Sequence, residues 1–207
     1  EVVLTAIKDP RGEGWDGSAL EFASKKLRCD KEVVMTAIEN DRWCHAFEYA
    51  CKELRADKEV FLAAINTFWY PCYARRCSLL PYASKELRSD KDVVLTAVSK
   101  KGSFEFEYAS KELRADREVV LTAIRKNSYN LKYASEELRN DKEIALTTVK
   151  ENGASLEYAS EELRNDREVV LTAIKDPIGE GWDGSALEFA SKKLRCDKEV
   201  VMTAIEN

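Results

Sequence analysis

The stretch Tyr158-Ala159-Ser160-Glu161-Glu162-Leu163-Arg164-Asn165-Asp166-Arg167-Glu168-Val169-Val170-Leu171 decides the fold, because close variants of it return along the whole chain. Its aspartate recurs as Asp30, Asp57, Asp90, Asp116, Asp141, Asp166 and Asp197, at spacings of 27, 33, 26, 25, 25 and 31 residues. Repetition at a fixed short period is the mark of a repeat architecture, so a unit of about 25 residues sets the frame for everything else. Insertions near 8–17, 66–79 and 175–184 account for the longer spacings. A larger period lies over the small one: residues 168–207 restate residues 1–40 with a single exchange, Arg11 against Ile178. The chain therefore reads as one continuous array over 1–207, with a super-repeat of 167 residues over 1–167 and the start of a second at 168–207. A block that begins again almost unchanged points to an excerpt of a longer chain.

Within one copy, Leu156, Ala159, Ser160 and Leu163 fall at i, i+3, i+4 and i+7, the stripe of an amphipathic helix. That spacing predicts a first helix that follows Gly153 and ends near Arg164, where a cation suits the carbonyl end. The corresponding stretch near the start carries Ser18 with Glu21 three residues on, the pattern of a capping box. Asp166 reads as the N-cap of a second helix, with Glu168 adding negative charge to its first turn. Val169, Val170, Leu171, Ala173 and Ile174 are apolar nearly all round, so the second helix should be the more buried of the pair. Helices of about 10 residues do not persist alone in water, which leaves stacking on neighbours as the source of stability. Stacking aligns Leu20, Phe47, Leu80, Phe106, Leu131, Leu156 and Leu187 in one column and Ala23, Ala50, Ala83, Ala109, Ala134, Ala159 and Ala190 in the next. A third column holds Leu27, Leu54, Leu87, Leu113, Leu138, Leu163 and Leu194. The expected fold is all-α, a right-handed or mildly irregular α-solenoid of short helix-turn-helix units. Glu21 with Lys25, Glu48 with Lys52 and Glu107 with Lys111 read as i,i+4 pairs on the outer face of the first helix.

The phrase from Tyr158 to Leu171 resembles the typical unit of the short tandem helical repeats grouped as domain of unknown function 4116, and the likeness spans essentially the whole chain. The resemblance implies an all-α repeat array of the kind that occurs in large proteins of microbes and unicellular eukaryotes. It implies no catalytic residues.

Composition narrows the function. Lys and Arg number 33 against 38 Asp and Glu, a net charge of -5, which is the wrong sign for neutralising a nucleic-acid backbone. No window approaches the roughly 20 uninterrupted apolar residues of a membrane span, and no targeting segment is visible, so a soluble protein of unassigned compartment is expected. With a single histidine, His45, no P-loop and no dinucleotide fingerprint, the chain offers no catalytic constellation and no cofactor site.

Individual features then divide between packing and binding. The arginines Arg28, Arg55, Arg88, Arg114, Arg139, Arg164 and Arg195 form a column that invites an anion-binding reading, but their place two residues before each aspartate suits bonding to terminal carbonyls and nearby acids. The aromatic column Phe22, Tyr49, Tyr82, Tyr108, Tyr133, Tyr158 and Phe189 reads as packing, with hydroxyls reaching outward. The acidic, glycine-rich loop from Asp9 to Gly17 lacks the ligand spacing of a calcium loop, so no metal site is assigned to it. The insertion holding Phe68, Trp69, Tyr70, Tyr73, Arg75 and Arg76 has the residue types of a binding hot spot. With Trp15 and Trp182 it forms the candidate surface for partners, which are expected to be other protein chains, copies of this one included.

Cys29 and Cys196 are one position seen twice. An odd set of five distinct cysteines per super-repeat argues against a complete disulfide framework. Cys44, Cys72, Cys77, Cys29 and Cys196 are the candidates for a disulfide or an inter-chain thiol contact, while Cys51 reads as a substitute for the usual serine within a helix. The reading that follows is a non-enzymatic structural or scaffold protein, a segment of a very long tandem-repeat chain that forms or decorates an extended assembly or filament; the alternative is a protein-binding adaptor.

Overall fold

Each second helix begins at its aspartate because that side chain replaces the hydrogen-bond partners the first turn lacks. In the computed structural model, which describes residues 17–41, 45–66, 78–101, 105–175 and 185–206, the Asp30 carboxylate accepts from the amides of Glu32 at 3.1 Å and Val33 at 3.2 Å. Asp57, Asp116, Asp166 and Asp197 hold their own first turns in the same way. The helices so started run Lys31–Glu39, Lys58–Asn66, Lys91–Lys101, Arg117–Lys126, Lys142–Glu151, Arg167–Ile174 and Lys198–Glu206. All described elements are helical.

The chain forms two compact units, residues 1–110 and 111–207. In the first, the helix Lys58–Asn66 packs between Lys31–Glu39 and Lys91–Lys101. In the second, Lys142–Glu151 packs between Arg117–Lys126 and Arg167–Ile174, and the latter also meets Lys198–Glu206. The long helices before the last bury a two-residue-wide face, as Val33, Val34, Ala37 and Ile38 do in one copy and Val119, Val120, Ala123 and Ile124 in another, whereas Lys198–Glu206 buries Val200 alone. At roughly 1.5–3 kcal/mol per fully buried branched side chain, these faces carry most of the stability. Phe47 and Phe61, both wholly buried, meet edge to face with ring centres 5.3 Å apart.

The first helix of each copy departs from expectation. It is two short helical turns with a corner between them, such as Gly153–Tyr158 followed by Leu163–Asn165. The corner is the Ala-Ser pair: Ala159 has ψ 160, and the matching Ser135 and Ser191 have ψ 156 and 154, extended values that no α-helix accepts. Burial follows the predicted stripe all the same, with Leu156, Ala159 and Leu163 buried, because the spacing that marks a helix face also fits two turns joined by a bend. The alanine column is buried in each copy, and Leu187, Leu27 and Leu138 are the half-buried members of the leucine columns. Glu21 with Lys25 and Glu48 with Lys52 lie on opposite sides of such corners, so they are not i,i+4 pairs of one helix.

The entry to the first turn is also capped differently. Gly153 lies inside the turn, not before it, and Asn152 is the cap, accepting from the amide of Ala154 at 2.9 Å. A Cβ at Gly153 would stand 2.1 Å from the carbonyl oxygen of Ala173, a separation that only glycine permits. Asn127 caps the preceding copy and Asp41 an earlier one. The side chain of Ser18 lies outside those described.

Candidate functional site

Corners and caps come together at the seam between consecutive copies. The extended Ala-Ser corner removes the serine amide from any helix, and the arginine carbonyl two residues before each aspartate ends a turn without a partner. The two satisfy each other across the seam. Within the first unit, Cys51 N donates to Arg28 O at 3.0 Å, Ser84 N to Arg55 O at 3.2 Å and Ser110 N to Arg88 O at 2.9 Å. Within the second, Ser135 N donates to Arg114 O at 2.9 Å, Ser160 N to Arg139 O at 3.0 Å and Ser191 N to Arg164 O at 2.9 Å. The serine hydroxyl meanwhile caps the second turn, accepting from Leu163 N at 3.2 Å in one copy and Leu194 N at 3.3 Å in the next.

A second ladder runs along the starts of the long helices. The cation after each aspartate reaches forward to the cap and first-turn acid of the next copy: Lys31 Nζ lies 2.7 Å from both Asp57 and Glu59, and Lys142 Nζ 2.7 Å from Asp166 and 2.8 Å from Glu168. Lys58 joins Asp90, Arg117 joins Asp141 and Glu143, and Arg167 joins Asp197 and Glu199. Lys31 donates a hydrogen bond that holds the Asp57 carboxyl below its ordinary 3.8. Burial pushes Asp166 up, but the Lys142 ammonium and the helix amides outweigh it, and its net shift is downward. The same contacts raise Lys31 and Lys142 above 10.5.

The signs fix the pH dependence. Depressed carboxylates contribute stability that is present above their unfolded value and lost as pH falls through the folded one; raised lysines contribute stability present below their unfolded value and lost as pH rises past the folded one. The thermal midpoint should be flat between about pH 5 and 9, fall below about pH 4 and above about pH 10.5, and decline in 1 M salt because these pairs are exposed. Circular dichroism melts across that range check it. A midpoint still rising below pH 4 would contradict the ladder.

Side chains add a third contact at the seam. At two seams the residue before the aspartate bonds the corner residue of the next copy: Asn140 accepts from the Ser160 hydroxyl and donates to Glu162 at 2.9 Å, and Asn165 accepts from the Ser191 hydroxyl at 2.7 Å. Around Asn140 lies an open groove of about 520 Å³ lined by Glu136, Glu157, Glu161, Glu162, Arg139 and Arg164 among others. Four carboxylates against two guanidiniums give it the wrong balance for an anion. Two of the arginines bond backbone carbonyls: Arg28 donates through Nε to Ala23 O at 2.9 Å and through Nη2 to Glu21 O at 2.7 Å, and Arg164 Nε donates to Phe189 O at 2.6 Å, whereas the buried Nε atoms of Arg55, Arg114 and Arg139 have no such partner. The tyrosine column is half-buried, with the Tyr49 hydroxyl raised by burial and by its hydrogen bond to Glu21 of the copy before. Phe22, 78% exposed, departs from that packing role.

At one seam both asparagine and serine are replaced by cysteine. Cys29, Cys51 and Glu53 bring their ligand atoms within 4.8 Å of one another, the same three positions that Asn140, Ser160 and Glu162 occupy. Cys51 is thus at a turn cap beside Cys29, not inside a helix. Burial pushes its thiol up to about 11, with hydrogen bonds to Cys29 and Glu53 adding to the shift, and the Cys51 S–H draws the Glu53 carboxyl downward. Cys29 and Cys196 are exposed free thiols. Trp15, Phe68, Trp69, Tyr70, Tyr73, Arg75, Arg76, Trp182, Cys44, Cys72 and Cys77, with the loop from Asp9 to Asp16, lie outside the described residues.

The family model described as Domain of unknown function (DUF4116) matches residues 1–55, 57–114, 116–164, 141–178 and 182–207. The chain belongs to the DUF4116 family. The DUF4116 matches 1–55 and 57–114 each span about two of the 25-residue copies, so the family repeat of about 50 residues is a pair of them. No curated protein and no solved structure matches the chain. Among the described residues, no helix is long and apolar enough to cross a membrane.

Proposed function

We propose that the chain is a non-enzymatic structural or scaffold segment whose copies stack as an α-solenoid, within a long tandem-repeat protein that builds or decorates an extended assembly. The observation that carries this reading is the renewal of one junction inside each compact unit: an amide from the corner residue, a carbonyl from arginine, and an ion pair to the next helix start. Arrays whose copies bind only their neighbours gain length without changing the junction, and they present identical features at fixed intervals. The super-repeat serves the same end on a larger scale, since the sequence of residues 1–40 returns 167 residues later with one exchange. The partners are other protein chains, copies of itself included, and neither nucleic acid nor a membrane.

A protein-binding adaptor is the second reading, favoured by the aromatics and paired arginines of the 66–79 insertion. Negative-stain electron microscopy of the protein in its native assemblies separates the two. Elongated particles or filaments are expected; compact particles of fixed stoichiometry with a different protein would overturn the scaffold reading in favour of the adaptor.

A further inference from the structure

The Cys29–Cys51–Glu53 cluster stands apart from the scaffold reading. Its position is set by the seam, because the Cys51 amide donates to the carbonyl of Arg28, the residue before Cys29, at 3.0 Å. At the seam of Asn140 this place holds an asparagine that bonds the facing Ser160 and the glutamate two residues on, Glu162. Here both partners of the polar contact are thiols and the glutamate is kept. Two sulfurs and a carboxylate within 4.8 Å of one another form a donor set on two consecutive copies, half-buried at Cys51 and open to solvent at Cys29 and Glu53. We propose that Cys29, Cys51 and Glu53 bind a thiophilic divalent cation of the zinc class, with the fourth position open to water.

The donor chemistry fits. Zinc takes thiolate sulfur at about 2.3 Å and carboxylate oxygen at about 2.0–2.2 Å, which in a tetrahedron sets sulfurs about 3.8 Å apart. No two donor atoms of the cluster are more than 4.8 Å apart, so the sulfurs need close by at most about 1 Å to reach that spacing. Binding forms two metal–sulfur bonds and one metal–oxygen bond, and the two thiol protons pass to the solvent. The cation would pin the seam between the first two copies, replacing two neutral contacts with bonds to one ion.

The test is alkylation of the whole chain by iodoacetamide under a phosphine reductant, with and without Zn²⁺, read peptide by peptide by mass spectrometry. At zinc ten times the dissociation constant, mass action predicts about tenfold slower alkylation at Cys29 and Cys51. Cys51→Ser restores the residue found at that place in the other copies, so the variant keeps the corner cap; Cys29 should then lose its protection. Glu53→Gln should raise the zinc concentration needed. Equal alkylation of Cys29 with and without zinc would overturn the proposal. Protection of Cys29 that survives Cys51→Ser, or protection confined to Cys44, Cys72 and Cys77, would overturn it as well.

Discussion

Replacing Glu105 by alanine is expected to destabilise the first compact unit by about 3–5 kcal/mol, because it removes the buried acceptor that three donors share. Glu105 is 1% exposed, and its carboxylate accepts from the Ser78 hydroxyl at 2.8 Å, Leu79 N at 2.8 Å and Leu80 N at 2.9 Å. One side chain thus caps the first turn of the copy before its own. Glu105→Gln keeps the shape and one acceptor oxygen but turns an amide toward those donors, so roughly half the loss should remain. Urea unfolding measures the size, and amide exchange at Leu79 and Leu80 measures the place, since those two amides should lose protection first. A Glu105→Ala variant as stable as the parent would show that the cap contributes nothing.

Phe61→Ala carries an effect of similar size for a different reason. Phe61 and Phe47 are both fully buried and meet edge to face, so truncation removes about 3–5 kcal/mol through lost transfer energy and a cavity that the stacked helices cannot close. Phe61→Leu, which keeps most of the volume, should cost under about 1.5 kcal/mol. Urea midpoints of the two variants check it. Equal losses for alanine and leucine would mean that cavity formation is not the cause.

Glu105 also shows where sequence reading stops. The aspartate caps, the buried alanine and leucine columns and the buried faces of the long helices follow from spacing, because each depends on residues within one copy. The seam does not. Lys31 was legible as a first-turn cation, but its reach to Asp57 and Glu59 depends on the offset between copies, which no local pattern encodes. Helix periodicity hid the Ala-Ser corner, since four residues on one face look the same with or without a bend after the second. For that reason Cys51 read as a residue within a helix. The signal that joins Cys51 to Cys29 is a cysteine at the position before the aspartate, Cys29, followed in the next copy by a cysteine, Cys51, in place of the corner serine. Glu105 carried no such signal, for its column holds Ala46, Asn130 and Ser155 in other copies and only the fold turns it toward Leu79.

We propose that the junction seen inside each compact unit, repeated along a long chain, builds an extended protein array. The most direct measurement is the axial repeat of the native assemblies in negative-stain electron microscopy. Helix pairs packed at 8–10 Å advance a 167-residue block by roughly 60 Å of contour, so filaments or elongated particles with a period at or below about 60 Å are predicted. Compact particles without an axial period would contradict the account.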